Sequence, residues 1–404
     1  MPFHPVNPRP PFPLVRESSP SRRETHGKRF AVSAENGKRT NTGLRRFEAP
    51  ARVNIIGEHT DYNDGFVLPT NTALYTRVHA RPRGDQRIRA AATRLGAEGE
   101  FDINEIRSGE PPGWLDYIKG VAGELAAVGV ELAGADLSIS GDIPIGAGLS
   151  SSASLELAVA RAFLAIAGYD LDAESLARVC RQAEIRYAGV NCGIMDQYSV
   201  AAGRAGAAML LDCRSLETAF VDIPDTLAFI VIDSNAKHRL PDSGYNDRAD
   251  ECRSAVSILG DRDIGSLRDA RIEDIDNSCE RLGDTLFRRC RHVITENQRT
   301  LDSFAALEAA DGERLGELLS ESHRSLRDDY EVSCDAIETL VQVVDDCDGI
   351  FRSTWSQFYR EALPRYDHLL VWDVTPEGEA AIHPDYRLKF REGRLAIYAR
   401  SDVP

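Results

Sequence analysis

The sequence predicts an α+β protein of two domains, and three observations lead there. Strand-like and helix-like stretches are mixed without a regular βαβ alternation. A chain of 404 residues is long enough to bury a large core and to divide in two. Its composition is that of a globular protein: 42% of residues are hydrophobic, yet no apolar run approaches the roughly 20 residues that a membrane span needs.

The elements follow in order. Residues 1–46 hold ten Lys/Arg against three Asp/Glu, and seven prolines fall within the first twenty positions. That text has no apolar periodicity and predicts a disordered tail over residues 1–45. A transit peptide is also Arg-rich and acid-poor, but the prolines break any amphipathic helix. A start codon placed too far upstream accounts for the tail equally well. Phe47 to Ile56 reads as a strand, Tyr75 to Arg81 alternates as a strand does, and so does Leu137 to Ser140. From Ser150 the pattern turns helical, with Leu155, Leu157, Ala158, Ala162, Phe163 and Ile166 at helical spacing and Gly168 closing the run. A second helix fits Ala173–Ala188, followed by a loop to Gln197. Strands are expected at Ala207–Asp212 and Leu227–Asp233, helices through most of 245–345, and a strand at His368–Asp373. A boundary near residue 215 divides an N-terminal domain, 46–215, from a C-terminal one, 216–404.

Net charge is −16, and about −23 outside the basic tail. An acidic body of this kind excludes non-specific nucleic-acid binding. It does not exclude a phosphate ligand, because backbone N–H groups supply a local positive field. The eight cysteines (Cys180, Cys192, Cys213, Cys252, Cys279, Cys290, Cys334 and Cys347) form no C-x-x-C pair, and no secretory signal is present. They read as reduced thiols in a cytoplasmic protein. No oligomer signal is evident, and a monomer is expected.

Two stretches carry the chemistry. The first is Arg52-Val-Asn-Ile-Ile-Gly-Glu-His-Thr-Asp-Tyr-Asn-Asp-Gly65. It crowds a glycine, carboxylates, an imidazole and asparagines into one turn after an apolar run, which suits a polar ligand better than a core. Carboxylates accept hydrogen bonds and a neutral imidazole does either, so such a turn matches the hydroxyls of a sugar. It also rejects an analogue with a misplaced hydroxyl, because a buried polar group is then left unpaired. The second is Pro144-Ile-Gly-Ala-Gly-Leu-Ser-Ser-Ser-Ala153. Gly146 and Gly148 let backbone approach a ligand, and the helix beginning near Ser150 offers unpaired N–H groups and its positive dipole end. That is an anion site, although without a terminal lysine it is not a Walker A loop. Ser150, Ser151 and Ser152 add hydroxyl donors, and Ser151 is a candidate ligand for the Mg²⁺ that accompanies ATP. Asp196 lies between apolar residues and an amide in Cys192-Gly-Ile-Met-Asp-Gln197, which predicts a partly buried carboxylate in need of a partner.

Together the two stretches resemble the galactokinases, within the family of small-molecule kinases that includes the homoserine, mevalonate and phosphomevalonate kinases. Glu58-His-Thr-Asp-Tyr62 is specific to the galactokinase branch, the serine-rich loop is shared by the whole family, and the resemblance spans about Phe47 to Asp348. It implies a two-domain architecture of the GHMP kinase type, with the active site between the domains. It implies galactose held by Glu58, His59, Asp61, Asp196 and Tyr245, and ATP phosphates held by Gly146, Ala147, Gly148, Leu149, Ser150 and Ser151. Mg²⁺ falls to Ser151 and Glu184, with ATP as co-substrate. Asp196 would face the anomeric hydroxyl as general base or electrostatic orienter, and Arg52 would pair with it. A guanidinium nearby favours the ionised carboxylate, which makes it a weak base and leaves much of the rate to positioning and charge stabilisation. The implied activity is ATP-dependent phosphorylation of galactose to galactose 1-phosphate. Two alternatives stay open: a catalytically impaired sugar- and ATP-sensing protein, and a kinase for a related sugar.

The chain departs from the family twice. Ala51 stands where a glycine is usual. A second glycine-rich loop, of the type G-x-x-x-T-G-G-G-F-G-G, is expected soon after Asp348, but the text reads Gly349-Ile-Phe-Arg-Ser-Thr-Trp-Ser-Gln-Phe-Tyr-Arg-Glu-Ala362. Trp355 and Phe358 do not let backbone approach a phosphate as glycine does. Compensating frameshifts in the coding sequence and true divergence both explain the C-terminal domain's atypical text after about residue 349.

Overall fold

The computed structural model describes residues 33–34, 43–224, 227, 229–232, 245–260, 264–345, 368–372, 386–392 and 395–400. The expected second glycine loop at 349–362, and the stretch 234–239 that precedes Tyr245, lie outside the described residues, as does most of the predicted tail. Within that tail Ser33–Ala34 (β1) pairs antiparallel with Tyr169–Asp170 (β8), so this part of it runs beside the body of the protein.

The N-terminal half is an eight-stranded, mostly antiparallel sheet covered by helices, an α+β arrangement. Strand β2 (Arg45–Asn54) pairs with β4 (Pro69–Pro82), Phe47 opposite Val78. Next along the sheet come β7 (Ala135–Gly141), β5 (Arg87–Ala92) and β6 (Ala97–Asp102) on one side of β4. On its other side lie β9 (Ala207–Asp212) and β10 (Thr218–Asp222), and the short β3 (Phe66–Val67) pairs with β9. Only β5 and β7 run parallel. Helices α1 (Trp114–Ala127), α2 (Ser151–Ala167) and α3 (Ala173–Ala183) cover one face, and the core between them includes Val78, Ile88, Ile118, Leu125, Leu157 and Phe163. Gly168, at φ 78°, ends α2 by donating its N–H to Leu164 O, and Asp172 caps α3 by accepting from Ser175 N. Helix α3 passes into a widened turn at Glu184–Ala188, which together span the predicted helix Ala173–Ala188.

Strand β9 explains why its sequence, Ala-Ala-Met-Leu-Leu-Asp, lacks polar alternation. Ala208 and Leu210 face Phe304, Leu307 and Leu315, whereas Met209 and Leu211 face Ala177 and Ile194, so helices cover both sides. The first set comes from α7 (Cys279–Glu308) and α8 (Gly312–Asp328), the second from α3 and the residue preceding α4 (Met195–Ala202). Helices α5 (Tyr245–Leu259), α6 (Ile272–Asp276) and the start of α7 build a further core with Cys252, Leu267, Ile275, Val293 and Tyr330. Helix α9 (Asp335–Asp345) follows. A four-stranded antiparallel sheet joins β11 (Ile230–Ile232), β12 (His368–Trp372), β14 (Leu395–Arg400) and β13 (Tyr386–Glu392) in that order. Among the described residues no helix is long and apolar enough to cross a membrane, and the seven described cysteines are free.

Candidate active site

Two loops leave the same end of the sheet and meet. The ladder between β2 and β4 shifts register between Pro50 and Arg52, a bulge that re-aims Arg52. Ala51, at the bulge, is fully buried against Leu74, Ile143 and Leu149, so its methyl fits where a glycine is usual. Arg52 donates from Nε and Nη2 to Oδ1 of Asp196 at 2.9 and 2.6 Å, and from Nη1 to the carbonyl of Gly148 at 2.8 Å. The predicted Arg52–Asp196 pair therefore also bridges to the glycine loop. The other Asp196 oxygen, Oδ2, accepts from Ser150 Oγ at 2.6 Å.

The glycine loop, residues 142–150, joins β7 to α2. Gly146 and Gly148 sit at φ 80° and 72°, a conformation that side chains disfavour, and a Cβ at either would meet nothing within 4 Å. Open space beside left-handed glycines at the N-terminus of a 17-residue helix is a cradle for an anion. Ser150 is itself left-handed (φ 54°) and spends its hydroxyl on Asp196 instead of capping the helix. Leu149 is buried and Ala147 half-buried in the same small core as Ala51, so these two offer a ligand only their backbone.

Glu184 lies in the widened turn after α3, 4% exposed. Its Oε2 accepts from Gln197 Nε2 at 2.6 Å, and the same amide reaches Glu156 Oε2 at 3.2 Å. The Ser152 hydroxyl, next to the Ser151 expected to share Mg²⁺ with Glu184, hydrogen-bonds to this carboxyl group. Burial, and then the Asp196 carboxylate, push Glu184 up to about 7. Glu156 is raised well above its ordinary value by burial and by Glu184. Glu156 Oε1 and Gln197 Oε1 are buried without a partner.

The turn between β2 and β3 holds the second cluster. Gly57, at φ 102°, has no room for a Cβ, which would lie 2.6 Å from Phe66 O. Thr60 Oγ1 lies 2.8 and 2.7 Å from the carbonyl oxygens of Gly57 and Phe66 and draws the two ends of the turn together. Asp61 packs its carboxylate flat on Gly193: a Cβ there would lie 1.9 Å from Asp61 Oδ2. Glycine at 193 is what allows Asp61 and Asp196 to share one site. Burial and then the charge of Asp196 raise Asp61 to about 6. Glu58 accepts from Asn54 Nδ2 at 3.1 Å and is pushed up to about 8 by burial and then by the Glu296 carboxylate. His59 is driven down to about 3 by burial, then by His292 and Arg248, so its ring is neutral. Tyr245, the first residue of α5, sets its ring 5.5 Å from that of His59 and 5.2 Å from that of Tyr62. Arg52, Gly148, Ser150 and Asp196 are thus joined directly, Asp61 lies beside them across Gly193, and His59 and Tyr245 stack in the adjoining turn, whereas Ser151 has no described contact to Asp196 or Glu184.

Several residues of the region were not legible in the sequence. Helix α7 clasps the turn from behind. Glu296 Oε1 accepts from Gly57 N at 3.1 Å across 239 positions, Asn297 Oδ1 accepts from Phe66 N at 2.9 Å, and His292 Nε2 donates to Glu58 O at 3.1 Å. Gln197 and Glu156 tie down Glu184. The loop after the widened turn is held in its turn by Arg181 Nε, which donates to Cys192 O at 2.9 Å.

Comparison with known proteins identifies the family. The family model "GHMP kinases N terminal domain" matches residues 116–204, and "Galactokinase galactose-binding signature" matches residues 37–82. The chain is 46% identical to a galactokinase of Chloroflexus aurantiacus over 76% of this chain and 79% of that protein. It is 44% identical to one of Roseiflexus sp. over 76% and 78%. The crystal structure of Lactococcus lactis galactokinase complexed with galactose superposes with a TM-score of 0.72 at 37% identity, covering 76% of this chain and 80% of that one. A mevalonate kinase at 16% identity, with a TM-score of 0.53, shares the fold.

Proposed function

The chain belongs to the galactokinases, a branch of the GHMP kinases, and we propose that it moves the γ-phosphoryl group of ATP to the anomeric hydroxyl of galactose with the residues gathered between the two loops. The observation that carries this reading is the Asp196 carboxylate, joined through Arg52 to the glycine loop and set beside the Asp61 turn. A sugar hydroxyl at Asp196 would then lie next to a phosphate on the loop.

Glu58, His59, Asp61 and Tyr245 would hold the sugar. Asp61 and a protonated Glu58 supply an acceptor and a donor, and the neutral imidazole matches either kind of hydroxyl. The backbone of Gly146, Ala147, Gly148 and Leu149, with the serines that follow, would hold the phosphates. Arg52 and Ser150 already occupy both oxygens of Asp196. Its chief work is to aim the hydroxyl and to take the proton as the new O–P bond forms and ADP leaves. Arg52 is placed to offset charge developing on the transferred group. Most of the rate comes from alignment and charge stabilisation.

The donor set fits Mg²⁺. Two carboxyl groups with raised proton affinity, Glu184 and Glu156, lie beside Asp196, and the Ser152 hydroxyl meets Glu184. Among the described residues no group of three His, Cys, Asp or Glu side chains is set to hold a metal. A hard cation that takes one or two protein oxygens, from Glu184 with Ser152 or Ser151, and the rest from phosphate and water suits this arrangement. Bound there, Mg²⁺ offsets phosphate charge.

The test is ADP release from purified protein with Mg·ATP and galactose, with glucose as C4 epimer and Asp196→Ala as control. Turnover that requires galactose and falls at least about a hundredfold in the control is the expected result. Saturable galactose binding without turnover would overturn catalysis and leave a sugar-sensing protein. Preference for another sugar would overturn the substrate.

A further inference from the structure

His59 holds an unusual backbone conformation for a non-glycine residue, φ 62°, and the surroundings that enforce it form a closed hydrogen-bonded ring. Asn63 Nδ2 donates to the His59 carbonyl at 2.9 Å and to Cys252 Sγ at 3.6 Å. Cys252 Sγ meets Tyr330 Oη at 3.1 Å, Tyr330 Oη meets Tyr62 Oη at 2.7 Å, and Tyr62 Oη meets His59 Nδ1 at 2.8 Å. The ring therefore clamps the main chain of His59 from one side and its imidazole from the other. It also spans the molecule: Asn63 and Tyr62 belong to the turn after β2, Cys252 to α5, and Tyr330 to the segment after α8.

We infer that Tyr62 and Tyr330 are positioning residues for the sugar, acting through His59 by committing Nδ1 inward and leaving Nε2 as the one ring nitrogen free for a ligand hydroxyl. The inference rests on the reading of His59 as a sugar ligand. Tyr330 is fully buried, between the rings of His59 at 4.7 Å and His292 at 4.5 Å, and Arg248 Nε donates to its carbonyl at 2.7 Å, so its hydroxyl has little freedom to leave the chain. Each hydroxyl in the chain has one hydrogen and two neighbours, which gives two complete arrangements. With the hydrogens pointing toward His59, Tyr62 donates to Nδ1 and Nε2 carries the proton. With the hydrogens pointing away, Nδ1 donates to Tyr62 and Nε2 accepts. The imidazole thereby presents a donor or an acceptor to match the sugar: the two hydroxyls rotate together, while the ring gives up its proton to water at one nitrogen and takes one from water at the other. A lone imidazole would lose this fixed aim. The low proton affinity of the His59 ring keeps it neutral in both arrangements.

The experiment compares wild type with Tyr62→Phe, Tyr330→Phe and His59→Ala, measuring KM for galactose, KM for ATP, kcat and Tm. Tyr62→Phe leaves Nδ1 unpaired and is expected to raise galactose KM about tenfold, with kcat and ATP KM within about twofold. Tyr330→Phe leaves Tyr62 on His59 but cuts its outward partner, and a rise of about threefold is expected. ¹⁵N-histidine spectra of wild type, assigned by loss of a signal in His59→Ala, are expected to show one locked tautomer of His59 in each ligand state. Unchanged galactose KM in both tyrosine variants at unchanged Tm overturns the proposal, as does a wild-type His59 signal in rapid tautomer exchange; the spectra decide the matter if a variant does not fold. Equal rises in both KM values mark a merely structural role and also overturn it. If His59→Ala leaves galactose KM unchanged, the reading of His59 as a ligand has failed. If His59→Ala loses affinity while the tyrosine variants do not, only the relay has failed.

Discussion

At the scale of single residues, function and backbone geometry meet at Arg52 and Gly193. Arg52 is useful because one planar fork reaches both Asp196 and the Gly148 carbonyl. A lysine has the charge but not the fork. Arg52→Lys is therefore expected to lower kcat by about a hundredfold while changing galactose KM much less, measured by steady-state kinetics. Gly193 matters for what it lacks. A methyl there would overlap the Asp61 carboxylate, which lies within 1.9 Å of the Cβ position. Gly193→Ala must push Asp61 away, and galactose affinity measured by calorimetry is expected to fall at least about tenfold, as a site loses a hydrogen bond it was built to make. Asp61 and Asp196 stood out in their local text as candidate site residues. The importance of Gly193 was legible only as one glycine among many, because its constraint is a side chain 132 positions earlier in the chain.

At the scale of elements, the sugar turn is not self-supporting. It has its own internal tie, Thr60, but its outward N–H and carbonyl groups are satisfied by α7 through His292, Glu296 and Asn297. Asn297→Ala leaves the buried Phe66 N–H without its acceptor, a loss of about 1–3 kcal/mol that thermal unfolding should register as a lower Tm. Asn297→Asp keeps an acceptor for that N–H and is expected to lose less. Helix was expected through most of 245–345, and α7 lies within that stretch. That its buried polar residues serve the Gly57 turn did not follow from periodicity, since a pattern records which face is buried and not against what. The same holds for β9, whose apolar text reads as a strand but whose two covering layers come from α3–α4 and α7–α8.

At the scale of the whole molecule, the site stores electrostatic work. Glu58 at about 8, Glu184 at about 7 and Asp61 at about 6 all stand above their ordinary values, each first because of burial. An acid whose folded value is raised binds its proton more tightly in the native state than in the unfolded one. Its contribution to stability is complete below the unfolded value near 4.5 and is lost as pH rises through the folded value. The ligand-free protein is thus expected to lose Tm steadily between pH 5 and pH 8, and Glu58→Gln should flatten that slope; equal slopes in the two proteins would contradict the assignment. Sugar and Mg·ATP, by supplying partners for these groups, should reduce the loss. What the sequence determined by itself was local: the crowded polar turn at 52–65, the left-handed glycines before the serine helix, and the partly buried Asp196 are each encoded within a dozen neighbouring residues. The tertiary structure alone decided which serine meets Glu184, that Ser150 and Arg52 converge on one carboxylate, and that α5, α7 and the Tyr330 segment close over His59. Those outcomes depend on distances of a few ångströms between residues up to 268 positions apart. Hydrogen bonds reach only about 3 Å, so packing must set such distances before side-chain chemistry can act on them.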